Sequence, residues 1–230
     1  ICWVVDCPKT IQNLVDLFAD LDHLYIADGH HRSAAAFRVG MEMREQNPDP
    51  AAEFNYFLSV IFPASDLKIW PYNRLVVDLN GSSEEEFFQK IQEHFNLEIA
   101  PFSPYEPEQR QVFGMYINDQ WYKLTPKPGL VETNDLIKAL DVAVLQDHLL
   151  DPILGIKDPR RDERIEFVGG IRGVKELERR VNSDMKVAFS MYPTSIKEII
   201  DVADSNQVMP PKSTWFEPKL LSGLFIHKLS

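Results

Sequence analysis

The chain has 230 residues, 44% of them hydrophobic, and a formal net charge of −11 at pH 7; this is apolar content enough for a sizeable core in one large domain or two small ones. The acidic balance argues against nucleic acid as a partner, because such binding needs a basic face to neutralise phosphates. No apolar run is long enough to span a bilayer and the first residues lack the pattern of a signal peptide, so a cytoplasmic protein without membrane association is expected.

Cys2 and Cys7 stand too close in one segment to make a disulfide framework and are read as reduced thiols. The chain opens without Met, directly in a strand-like run, and is expected to be the C-terminal part of a longer one. Cys2 to Val5 reads as a strand. Thr10 reads as the N-cap of a helix that carries Ile11, Leu14, Leu17 and Phe18 on one face. Leu24 to Ala27 reads as a second strand, Asp28-Gly29 as a turn, and Ala34, Phe37 and Met41 recur at helical spacing in a helix that stops at Asn47-Pro48. Phe54 to Phe62, Leu67 to Trp70 and Arg74 to Leu79 are rich in aromatic and β-branched residues and read as strands.

Gly81-Ser82-Ser83 opens a helix through two overlapping capping boxes, Ser82 with Glu85 and Ser83 with Glu86, and Phe87, Phe88, Ile91 and Phe95 form its apolar stripe. Pro101, Pro104 and Pro107 mark an internal boundary near 101–110 within what is otherwise one unit. Val112 to Ile117 and Gln120 to Leu124, joined by Asn118-Asp119, read as a β-hairpin. Thr133 or Asn134 caps a helix containing Leu136, Ile137, Leu140, Val144 and Leu145, with His148 at its end. Arg164 to Val168 and Lys186 to Met191 read as strands, Val174, Leu177 and Val181 as a helical face, and Ser195 with Glu198 as a further capping box. The mixture predicts an α+β fold, a sheet with flanking helices.

Chemistry concentrates at the turn. A glycine lets the backbone approach a ligand, and the first turn of a helix offers unpaired N–H groups with partial positive charge, which together suit a phosphate. His30, His31 and Arg32 add side-chain donors there. Adjacent helical residues diverge by about 100°, so the two histidines do not share one metal ion, and Ser33 lacks the glycine-flanked elbow of a serine nucleophile. The tail from Met209 to Leu224 is the second unusual stretch. Its prolines hold a fixed, non-helical shape, and two readings stand side by side: Trp215 and Phe216 packing on the sheet, or Lys212, Ser213, Thr214 and Lys219 reaching a bound anion. Pro-Pro stands where a Walker loop needs glycines, which excludes that motif.

Ile26-Ala27-Asp28-Gly29-His30-His31-Arg32 together with Met209-Pro210-Pro211-Lys212-Ser213-Thr214-Trp215-Phe216-Glu217-Pro218-Lys219 resembles the domain of unknown function 1015 family over nearly the whole chain. Relatives carry a further Pro-Pro-Tyr-Asp segment ahead of this region, and a His-Arg pair where Asn73-Arg74 stands here. The Asp28–Arg32 element is also similar to the nucleotide-phosphate motif of the ParB and sulfiredoxin superfamily, including its free serine kinases.

That resemblance implies nucleotide-dependent phosphotransfer to a small hydroxylated metabolite, with ATP or ADP and Mg²⁺ as cofactors. Asp28, His30 and His31 are the expected catalytic residues, and Asp28 is also the expected Mg²⁺ ligand. Gly29, His31, Arg32, Ser33, Lys212, Ser213 and Thr214 are the expected phosphate and nucleotide contacts. The alternative is a non-catalytic, ParB-like nucleotide-binding or regulatory module, and a third reading gives the motif only the task of folding the turn.

Overall fold

The structure, a computed structural model, describes residues 2–221 and 223–229. The chain forms two compact units, Ile1–Leu58 with Ile226–Ser230, and Ser59–Phe225; residues 101–110 lie inside the second.

The smaller unit holds two helices, α1 (Pro8–Ala19) and α2 (His30–Gln46). α1 starts earlier than its sequence signal suggests, because Pro8 fits the first helical turn, where no N–H is needed; Cys7, not Thr10, is the N-cap. α2 ends where Asn47-Pro48 requires it to. A 3₁₀ turn at Glu53–Asn55 packs on α2. Gly40 makes that approach close, since a Cβ there would lie 3.0 Å from the Phe54 carbonyl oxygen. Arg44 then donates to Asn55 Oδ1 at 2.6 Å.

Cys2–Val5 and Leu24–Ala27 are not strands, and Phe54–Phe62 contains only the 3₁₀ turn. The composition of these runs suits a sheet. A strand, however, is held by cross-strand hydrogen bonds and side-chain pairs, and these segments join no ladder among the described residues.

The larger unit is built on a six-stranded antiparallel sheet of β2 (Tyr72–Val76), β3 (Phe95–Ile99), β4 (Phe113–Ile117), β5 (Gln120–Pro126), β6 (Ile165–Gly169) and β7 (Val187–Ser190), in the order β3-β5-β4-β7-β2-β6. A separate two-stranded ribbon pairs β1 (Lys68–Trp70) with β8 (Trp215–Glu217). Thus β2 begins two residues before Arg74, and β3 replaces what reads as the end of a helical stripe at Phe95. The expected hairpin is β4–β5, with Asn118 and Asp119 both at positive φ as a type I′ turn requires.

The central strands β4 and β7 are buried along their whole length. Alternation divides their side chains between two cores. Val76, Met115 and Phe189 face one, while Leu75, Tyr116 and Ala188 face the other. The first core is covered by α3 (Glu84–His94) through Phe87 and Ile91, by α4 (Asp141–Leu145) with the π-turn Gln146–Leu150, and by Val202 of α6 (Ile196–Asp204). The second is covered by α5 (Lys175–Val181) through Leu177.

The capping boxes Ser83/Glu86 and Ser195/Glu198 form as expected. Ser82 does not cap; its hydroxyl accepts from Lys90 Nζ at 2.8 Å. Residues 133–140 fold as turns, and the helix starts only after Leu140, because Asp135 binds the N–H groups of Ile137 and Lys138 and holds a local turn in their place.

Candidate functional site

In the smaller unit, Gly29 sits at φ +83 as the N-cap of α2, a conformation that favours glycine. Asp28 Oδ1 accepts from the Gly29 N–H at 2.8 Å, and the Ser33 N–H donates to the Gly29 carbonyl at 2.9 Å as the first helical bond. The N–H groups of His30, His31 and Arg32 therefore have no intrahelical acceptor and end the helix as a positive pole. Arg32 folds its guanidinium back toward Gly29, close enough that a Cβ on Gly29 would lie 3.0 Å from Nη2. His30, His31 and Arg32 are exposed and Ser33 is half-buried.

An anion at this helix end meets main-chain donors and the Arg32 fork together. Asp28 offers a carboxylate beside them. Mg²⁺ is commonly held by one or two carboxylates with substrate phosphates and water completing its shell, and Asp28 fits that limited share. Among the described residues no three His, Cys, Asp or Glu side chains gather in a metal-binding group.

The larger unit carries the other expected contacts. Ser213 is buried; its hydroxyl donates to the Pro210 carbonyl at 2.6 Å, and its carbonyl accepts from Thr194 Oγ1 at 3.1 Å. That hydroxyl proton is committed to shaping the tail. Thr214 is half-buried. Lys212 adopts φ +57 and places Nζ over the rings of Tyr72, at 5.2 Å from the centroid, and Phe167, at 5.9 Å. Trp215 lies against Gly169, where a Cβ would collide with its ring, and Phe216 is buried in β8. The packing reading of these two aromatics is what the fold displays.

Two residues beside the tail, Asn73 and Arg74, stand in the sequence only as a departure from the His-Arg pair expected of relatives, with no site role. Asn73 is buried and its Oδ1 accepts from the Met191 N–H at 3.0 Å, tying β2 to the end of β7. Arg74 is 3% exposed; it donates to the Tyr72 carbonyl and, at 3.2 Å, to the Lys212 carbonyl. Burial pulls its pKa down to about 10. The sequence signal is an arginine at the start of a strand-like run, the second member of the pair whose first position departs from the His-Arg expected of relatives. His148 is half-buried in the π-turn, its ring 5.9 Å from that of His94, and burial lowers its pKa. It lies in the helical layer over the first core.

A model of the family described as "Protein of unknown function (DUF1015)" matches residues 1–143. No curated protein matches the sequence. Among solved structures, the chain is similar to a mutant free serine kinase in complex with AMP, at 14% identity and a TM-score of 0.46, over 93% of this chain and 81% of that one. It is similar to a mutant free serine kinase in complex with ADP at 16% identity and a TM-score of 0.46, over 94% and 82% of the two chains. A conserved hypothetical protein from Pyrococcus furiosus gives 16% identity and a TM-score of 0.43, over 86% and 71%. No helix among the described residues is long and apolar enough to cross a membrane.

Proposed function

The chain belongs to the DUF1015 family, and from that premise and its own residues we propose that it transfers a phosphoryl group from a nucleotide to the hydroxyl of a small metabolite, with a free hydroxy amino acid such as serine as acceptor. The observation that supports this reading is the turn itself: Gly29 at φ +83 opens a 17-residue helix whose first three residues are His30, His31 and Arg32.

In this reading the N–H groups of the first turn and the Arg32 guanidinium hold the transferring phosphoryl group and offset the charge that develops on its oxygens. His30 and His31 project from the same helix end and add donors from two directions. The acceptor oxygen bonds to phosphorus as the bond from phosphorus to the nucleotide's bridging oxygen breaks, and the shortened nucleotide leaves. Asp28 orients the acceptor hydroxyl and takes its proton. In its alternative role Asp28 would hold Mg²⁺, which would offset charge on the phosphates.

Phosphorus NMR of the protein with serine and either ATP or ADP tests the proposal. Formation of a phosphate monoester, reduced about a hundredfold in Arg32→Ala, is expected, since one oriented donor to a reacting oxyanion contributes on that order. Nucleotide binding without any transferred phosphate overturns the catalytic reading and leaves a nucleotide-binding or regulatory module.

A further inference from the structure

We propose that Arg74 and Lys212, with the rings of Tyr72 and Phe167, form a binding site on the larger unit for the oxyanion, phosphate or carboxylate, of a small metabolite. This inference does not depend on the reading of Asp28–Arg32.

The first observation is a buried charge without a counter-charge. Arg74 sits in β2 between β6 and β7, directly opposite Phe167 on one side and Phe189 on the other. Buried cations are ordinarily paired, because removing a charge from water is costly. Among the described residues Arg74 has no carboxylate partner; its only acceptors are the Tyr72 and Lys212 carbonyls. These engage two N–H groups of the guanidinium and leave the rest of the fork for another acceptor.

The second observation is that a further cation is brought to the same rings. The Arg74 guanidinium lies 5.5 Å from the Phe167 centroid, and Lys212 Nζ lies 5.9 Å from it. Ring faces attract cations, but each cation repels the other. The one carboxylate in the same stretch of tail is engaged elsewhere: Glu217 accepts from Trp215 Nε1 at 2.7 Å and from the Lys219 N–H at 3.0 Å.

Anchoring of the tail explains why Arg74 bonds the Lys212 carbonyl. It does not explain why the Lys212 ammonium shares the Phe167 ring. An oxyanion offsets the repulsion between the two cations, since a guanidinium fork receives two oxygens in plane and an ammonium receives one as a point charge.

The test is a calorimetric titration of the full chain carrying Arg32→Ala, which removes the other phosphate candidate, with inorganic phosphate and with acetate at constant ionic strength. Saturable binding of either ion, weakened about tenfold or more by Lys212→Gln, is expected, as one charge-assisted hydrogen bond carries roughly that factor. Phosphate alone binding identifies a phosphorylated ligand, and acetate alone a carboxylate; both support the site. Lys212 is exposed, so its substitution leaves folding intact, and Arg74→Lys, which keeps a charge but loses the fork, is expected to weaken binding as well. No saturable binding of either ion, or binding indifferent to Lys212→Gln, overturns the site. Absence of phosphotransfer by the unmodified chain, with this binding intact, overturns the reading of Asp28–Arg32 alone.

Discussion

The two units spend their apolar residues differently. In the larger one, Leu75, Phe87, Phe113 and Phe189 have no exposed surface, and alternation along each strand fills a core on both faces of the sheet. In the smaller one, α1 has no buried residue, and Gly40 and Phe54 are the only buried positions among the described residues. Ile11, Leu14 and Phe18 line one face of α1 and are each 43% exposed. An amphipathic pattern therefore specifies a helix in both units, but it yields burial only where a sheet stands opposite. The motif with the densest chemistry, Asp28–Arg32, is held by local bonds in the unit with the smaller core, whereas Arg74 is fixed by long-range packing.

The largest expected effects sharpen that contrast. Phe87→Ala should destabilise the larger unit by about 3–5 kcal/mol through the cavity it leaves, whereas Phe18→Ala should change stability by no more than about 0.5 kcal/mol. Urea unfolding of both variants checks this, and equal losses would break the comparison.

Next comes Asp141, 7% exposed. Its Oδ1 accepts from the Gln111 N–H at 2.9 Å, while Oδ2 is buried without a partner. Burial raises its pKa from 3.8 to about 6. The folded protein thus binds this proton more tightly than the unfolded chain, and the group's contribution to stability falls as pH rises through that interval and stays low above it. Asp141→Asn keeps the acceptor for Gln111. It should raise stability at pH 7 by on the order of 1–3 kcal/mol and flatten the acid-side pH dependence, as thermal melts across pH 4–8 would record.

The smallest effects separate true caps from apparent ones. Ser83→Ala and Ser195→Ala should each cost about 1 kcal/mol. Ser82→Ala, which loses only the exposed bond from Lys90, should cost under about 0.5 kcal/mol. Chemical denaturation of the three variants orders them.

Local signals were legible in the sequence. Both functioning capping boxes, the stop of α2 at Asn47-Pro48 and the Asn118-Asp119 hairpin follow from residues within a few positions of each other. Features that depend on distant partners were not. Phe95 continues the α3 stripe at i+4 from Ile91, and only its pairing with Pro126 makes it the first residue of β3. Leu24–Ala27 has strand composition and no ladder. The Asp28–Arg32 turn was visible because its glycine, charges and helix start adjoin. The burial of Arg74 was not, because it comes from β6, β7 and a tail carbonyl 138 positions away.

The central claim is that the Asp28–Arg32 turn holds a nucleotide phosphate, and ADP titrated calorimetrically against the unmodified chain and Arg32→Ala tests it most directly. The account predicts that Arg32→Ala weakens ADP binding about tenfold or more with an unchanged melting temperature in the absence of nucleotide. Equal affinities in the two proteins would contradict it.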